Sequence, residues 1–178
     1  MGAGRASSRR VGVAAKPRLS AVLGLWQDRD PLEALDTARL ADALGYQELW
    51  VGEMATFDAF TLATAIGMQT RQIGLTVGPL AVGVRDPTAL AMGVASVAAL
   101  CDRPVHLAIG ASSPIVVDRW HGRRWARTAT HLREAAAALR PLLAGEPEAA
   151  FMLDPTADVA TKAKAVKTAT SRSRAKRE

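Results

Sequence analysis

Four short apolar runs start near residues 19, 47, 72 and 104 of this 178-residue chain, and a helix-patterned stretch follows each. No other feature restricts the fold as strongly. Successive starts lie 28, 25 and 32 residues apart, room for a strand, a helix and two turns. Strands joined through helices run parallel, with right-handed crossovers. The runs 19–26 (LSAVLGLW), 47–51 (QELWV), 72–78 (QIGLTVG) and 104–110 (PVHLAIG) lack clean alternation, as strands buried on both faces do. The expectation is an α/β fold, either a small doubly wound sheet or the first four β/α units of a TIM-type (β/α)8 barrel.

The helices carry their own punctuation. Asp30-Pro31 and Asp86-Pro87 each supply a capping carboxylate followed by proline at the first helical position, where its missing N–H costs nothing. The first helix is expected to run to Leu44 and stop at Gly45, with Ala34, Ala38 and Ala41 on one narrow face. The second spans about 57–68, started by Thr56 or Asp58. The third runs to Cys101 with Leu90, Ala91, Val94, Val97 and Ala98 at helical spacing. The fourth covers roughly 124–143 and ends at Gly145.

Charge separates this body from its ends. Residues 1–18 carry five Lys/Arg and no acid, and 155–178 carry seven against two acids, so each end is +5. The net charge of +6 therefore leaves −4 for 19–154. Both ends are poor in large apolar residues and are expected to be disordered basic tails, 1–18 and 147–178, flanking a domain at 19–146. Binding of RNA or an anionic surface would belong to the tails alone, so no specific nucleic-acid partner is expected. No apolar run reaches 18 residues and no signal-peptide pattern follows the basic start. No membrane association is expected, and a cytoplasmic protein is. A single cysteine, Cys101, excludes a disulfide framework. The three histidines have neither metal-protease spacing nor cysteine neighbours, so no metal site is expected.

In either architecture function lies at the C-terminal ends of the strands. Here those ends read Trp26-Gln27-Asp28, Gly52-Glu53-Met54, Gly78-Pro79-Leu80 and Gly110-Ala111-Ser112-Ser113-Pro114. Three are glycine-led, which lets backbone approach a ligand. No dinucleotide fingerprint or phosphate loop occurs. Glu53 could move a proton or accept a hydrogen bond from a ring N–H, or be an ordinary loop acid. Ser112 and Ser113 would serve as hydroxyl and amide donors, because Pro114 stands where an esterase elbow needs glycine. His121, in RWHGRRW, could contact substrate or simply pack beside its tryptophans. His106, inside the fourth run, reads as a satisfied core histidine.

Residues 30–53 (DPLEALDTARLADALGYQELWVGE), 73–100 (IGLTVGPLAVGVRDPTALAMGVASVAAL) and 105–123 (VHLAIGASSPIVVDRWHGR) together resemble the bacterial luciferase-like flavin monooxygenase superfamily. Within it they are most similar to the branch using the deazaflavin coenzyme F420. The resemblance implies an oxidoreductase of (β/α)8 fold that transfers hydride between coenzyme F420, or alternatively FMN, and a small organic substrate. It places Trp26 and Gln27 beside the ring and Glu53 near ring and substrate. Gly78, Pro79 and Leu80 match a strand-3 bulge, often with a cis peptide, that supports the ring face. Gly110, Ala111, Ser112 and Ser113 match the loop at the cofactor's polar edge. A bulged or non-trans backbone is expected within 78–80, with Leu80 or Val82 as an apolar floor. After Gly145 the strand–helix rhythm stops, so a truncated, incomplete barrel is expected. Its open edges would suit either an inactive remnant or a homodimer that rebuilds the missing half.

Overall fold

The structure is a computed structural model, and it describes residues 18–24, 30, 32–53 and 57–145. The expected tails, Trp26 and Gln27 lie outside those residues, apart from Arg18 at the edge of the first tail. The order is β1 (Ser20–Val22), α1 (Glu33–Ala43), β2 (Glu48–Val51), α2 (Ala59–Gly67), β3 (Gly74–Ala81), α3 (Pro87–Cys101), β4 (Val105–Gly110), a wide helical turn (Ile115–Trp120) and α4 (Thr128–Leu143). The four strands form one parallel sheet in the order β1-β2-β3-β4. The α/β reading and the alternating order are therefore what the structure has.

The caps act as their residue types dictate. Asp86 accepts the Ala89 amide at 2.9 Å, with Pro87 in the first turn of α3. Asp58 accepts the Thr61 amide at 2.9 Å and starts α2. Asp30 accepts the Leu32 amide at 2.9 Å, a turn that delays α1 to Glu33. The fourth helix starts four residues later than expected, because Arg127 adopts φ 51° immediately before it.

Parallel partners share a face of a sheet, so register assigns every side chain. Leu49 pairs with Leu75, and Val51 with Val77; Leu75 and Val77 pair with Val105 and Leu107. This set packs under Ala34, Ala38, Leu62, Ile66, Leu90 and Val97 in a continuous apolar core. At about 25 cal/mol per Å² of apolar surface removed from water, that layer drives folding. Helices cover this face. The opposite face carries Val22, Trp50, Thr76 and His106 in one row.

Two expectations change here. The strands are not buried on both faces among the described residues, since Val22 is 72% exposed. His106 is not a core histidine. Strict alternation on β4 turns it to the face that carries no helix among the described residues, where its side chain is 73% exposed with Nδ1 3.8 Å from Glu48. Glu48 in turn accepts the Thr76 hydroxyl at 2.6 Å. That bond holds its carboxyl below the ordinary value against burial, with Trp50, His106 and Arg18 adding to the effect.

Candidate functional site

Continuing the alternation past Trp50, Thr76 and His106 brings Gly52, Gly78 and Gly110 to the C-terminal end of the open face. They make a shelf on which Gly52 and Gly110 are partly exposed, Gly78 is buried and the Pro79 ring is exposed. At its centre β3 places two residues, Gly78 and Pro79, opposite Ala108 alone, between the pairs Val77–Leu107 and Leu80–Ile109. This is a bulge, and the Gly78-Pro79 peptide is cis. The expected irregular backbone within 78–80 is present. Gly78 has φ 132°, and a Cβ there would fall 2.2 Å from the Ala108 carbonyl oxygen. Only glycine fits. A Cβ on Gly110 would meet Pro79 Cβ at 3.3 Å, so proline and glycine interlock across the two strands.

The expected floor is corrected for Leu80. The bulge shifts phase by one residue, pairs Leu80 with Ile109 and turns it toward the helices, where it is fully buried. Its side chain cannot face a ring on the shelf. Val82 is partly exposed, and its amide donates to Gly110 O at 3.1 Å, tying the loop after β3 to the end of β4.

Glu53 follows the shelf at the end of β2. Arg85, from the loop after β3, grips it with Nε to Oε2 at 3.0 Å and Nη2 to Oε1. The same Nη2 reaches Asp58, and the guanidinium stacks 5.3 Å from the Phe60 ring centroid. Hydrogen bonding to Glu53 keeps the Arg85 guanidinium charged well above its ordinary value despite burial, and Asp58 contributes further. Burial raises the Asp58 carboxyl, but the Thr61 amide, then Arg85 and the Thr61 hydroxyl, overcome this and hold it below the ordinary range. Arg85 and Phe60 were missed in the sequence, and Asp58 was read there only as a helix start. The available signal was Arg85 immediately before the Asp86-Pro87 cap, at a strand end facing that of Glu53.

The β4 end turns sharply, with Ser112 at φ 62°. The Ser113 hydroxyl accepts the Val116 amide at 3.4 Å, and the Trp125 indole donates to Ala111 O at 3.2 Å. Val82, Val117, Arg124, Trp125, Thr128 and His131 line a shallow depression beside this turn. His121 does not line it; it is exposed at the end of the wide turn, its amide donating to Val116 O at 3.2 Å. The structure thus gathers Glu53, Gly78, Pro79 and 110–113 at one end of the sheet and leaves His121 at the periphery.

A parallel sheet with helices between its strands and a glycine-lined C-terminal end defines an α/β protein of the kind that binds ligands at that end. The chain belongs to the luciferase-like monooxygenase family, whose sequence model matches residues 10–169. It is 27% identical over 129 residues to a Mycobacterium tuberculosis protein named "Putative coenzyme F420-dependent oxidoreductase Rv3520c", covering 72% of this chain and 37% of the relative. Its fold is similar to the oxygenating constituent of 3,6-diketocamphane monooxygenase of Pseudomonas putida, solved with FMN. That match has TM-score 0.60 and 18% identity, covering 68% of this chain and 39% of that one. The monooxygenase RslO1 of Streptomyces bottropensis matches with TM-score 0.56 and 21% identity, over 61% of this chain and 35% of its own. The chain spans about two fifths or less of each of these proteins. No helix among the described residues is long and apolar enough to cross a membrane.

Proposed function

We propose that this chain forms the first half of the cofactor mouth of an oxidoreductase that moves hydride between coenzyme F420, or FMN, and a small organic substrate. The glycine shelf carries the reading. Gly52 and Gly110 are partly exposed and carry no side chain, and the Pro79 ring is exposed beside buried Gly78, so a planar ring can lie against this end of the sheet with Pro79 at its face. A bound flavin or deazaflavin supplies the hydride chemistry, and the protein supplies orientation and electrostatics.

In this reading Pro79 packs at the ring face and Leu80 contributes backbone only. Ala111, Ser112 and Ser113 border the polar edge; by the resemblance alone Trp26 and Gln27, outside the described residues, complete the strand-1 side, whereas His121, exposed at the periphery, lies away from the mouth. Glu53 acts at the rim as a hydrogen-bond acceptor. Arg85 holds both of its oxygens, which suits a fixed acceptor. A cytoplasmic setting belongs to the same reading. Titrating the purified chain with coenzyme F420 and with FMN, followed by fluorescence, tests it; saturable binding is expected. Binding of neither at high micromolar concentration would overturn it.

A second reading has its own observation. Neither the outer edge of β1 nor that of β4 is paired among the described residues, and open edges template further pairing. A copy of the chain could occupy both edges and close a barrel from two halves. Light scattering is the measurement, and a monomer with a cooperative melt argues against self-association.

A further inference from the structure

Glu53 and Arg85 are 32 residues apart in sequence and meet only because β2 and β3 are neighbours. We propose that Arg85 is the positioning residue of this mouth, gripping both Glu53 oxygens so that the carboxylate is a fixed acceptor for an uncharged N–H donor on a planar heterocycle. The ligand half rests on the cofactor reading above; the positioning half rests on Arg85 alone.

A guanidinium presents parallel N–H groups that match a carboxylate in two places, which an ammonium cannot do. Arg85 uses this fork, Nε on Oε2 and Nη2 on Oε1. Its own freedom is removed on the other sides. Nη2 also binds Asp58, which is held as the cap of α2, and the guanidinium lies over Phe60. Phe60 cannot swing away toward α3, because its ring fills the space where Gly93 has no Cβ; an added one would lie 2.4 Å from Cε2. The Ala59 amide, an otherwise unpaired donor at the start of α2, reaches Glu53 Oε1 at 3.5 Å. That contact is long. Arg85 is the main anchor.

An ionised carboxylate has about four acceptor positions. Arg85 and Ala59 take two on Oε1, and Arg85 takes one on Oε2. One remains on Oε2, and the Glu53 side chain is 22% exposed, within reach of a ligand. Two carboxylates share one guanidinium, so the cluster is net negative and disfavours an anionic group. An N–H donor fits, and the planar cofactor of the reading above supplies an uncharged one.

The test uses the full chain, FMN as probe, and amide hydrogen exchange. Arg85→Met and Glu53→Gln should each weaken FMN binding about tenfold or more, the scale of a charged hydrogen bond. The double variant should be no weaker than either single, since both remove one device. Exchange at the Ala59 amide should quicken about tenfold in both variants, while the Ala89 amide, capped by Asp86, stays as in the parent. Arg85→Lys should not restore FMN affinity. Additive losses, an unchanged Ala59, or Ala59 and Ala89 quickening together would overturn positioning. If the parent binds no FMN, the ligand half falls with the cofactor reading, and exchange at Ala59 still decides the positioning half. Should Arg85→Met fail to fold, Arg85→Lys carries the same comparison.

Discussion

Replacing Gly78 and Gly110 by alanine, one at a time, separates what the shelf needs in order to fold from what it needs in order to bind. In Gly78→Ala the new methyl carbon would sit 2.2 Å from Ala108 O and 2.9 Å from its carbonyl carbon, at φ 132°. Both obstacles are backbone. Overpacking of this kind costs about 1–3 kcal/mol, and a side chain at a φ reserved for glycine adds about 1–2 kcal/mol. The expected total, about 2–5 kcal/mol, lowers the melting temperature by roughly 4–20 °C for a chain of this size. In Gly110→Ala the nearest atom is Pro79 Cβ at 3.3 Å, a contact that yields by a few tenths of an ångström. Its stability cost should stay under about 1 kcal/mol, while the methyl stands on the shelf and weakens flavin or deazaflavin binding. Thermal melts by circular dichroism and fluorescence titration read the two effects. A Gly78→Ala protein melting within about 2 °C of the parent, or a Gly110→Ala protein melting as low as Gly78→Ala, would refute the reasoning.

Asp42 accepts the amides of Arg71, Gln72 and Ile73 at 2.8, 2.9 and 2.7 Å. Burial raises its carboxyl, but those amides and Arg103 outweigh this and hold it below its ordinary value of 3.8. A lowered folded value means stability that is full well above pH 3.8 and is lost as pH falls through the folded value. Asp42→Asn should therefore cost about 2 kcal/mol at pH 7 in urea unfolding, and the difference from the parent should shrink on acidification; a difference independent of pH contradicts it. Arg103 donates to Gly67 O at 2.6 Å, Ile73 O at 3.0 Å and the Thr70 hydroxyl at 3.2 Å, and also to Thr70 O. Arg103→Met strands these acceptors and should cost about 3 kcal/mol. Arg103→Lys should recover less than half, because a point charge cannot reach them all; full recovery would show that charge alone matters.

The period of the apolar runs was enough to establish a parallel α/β sheet, because helix and strand lengths are local properties and a crossover leaves little choice of direction. Asp86-Pro87 placed α3 to the residue for the same local reason. The glycine–proline end of β3 was legible too, since those residue types mark backbone that a regular strand does not need. Other features depended on partners distant in the chain. Which face of β4 lacks helices decided the exposure of His106, and a run of apolar neighbours could not reveal it. The one-residue phase shift at the bulge turned Leu80 to the core, whereas unbroken alternation would have put it, three residues after Val77, on the opposite face. Above all, the fork between Arg85 and Glu53 exists only through the register of β2 against β3. A charged pair is chosen by distance in space, and only the packed sheet sets that distance.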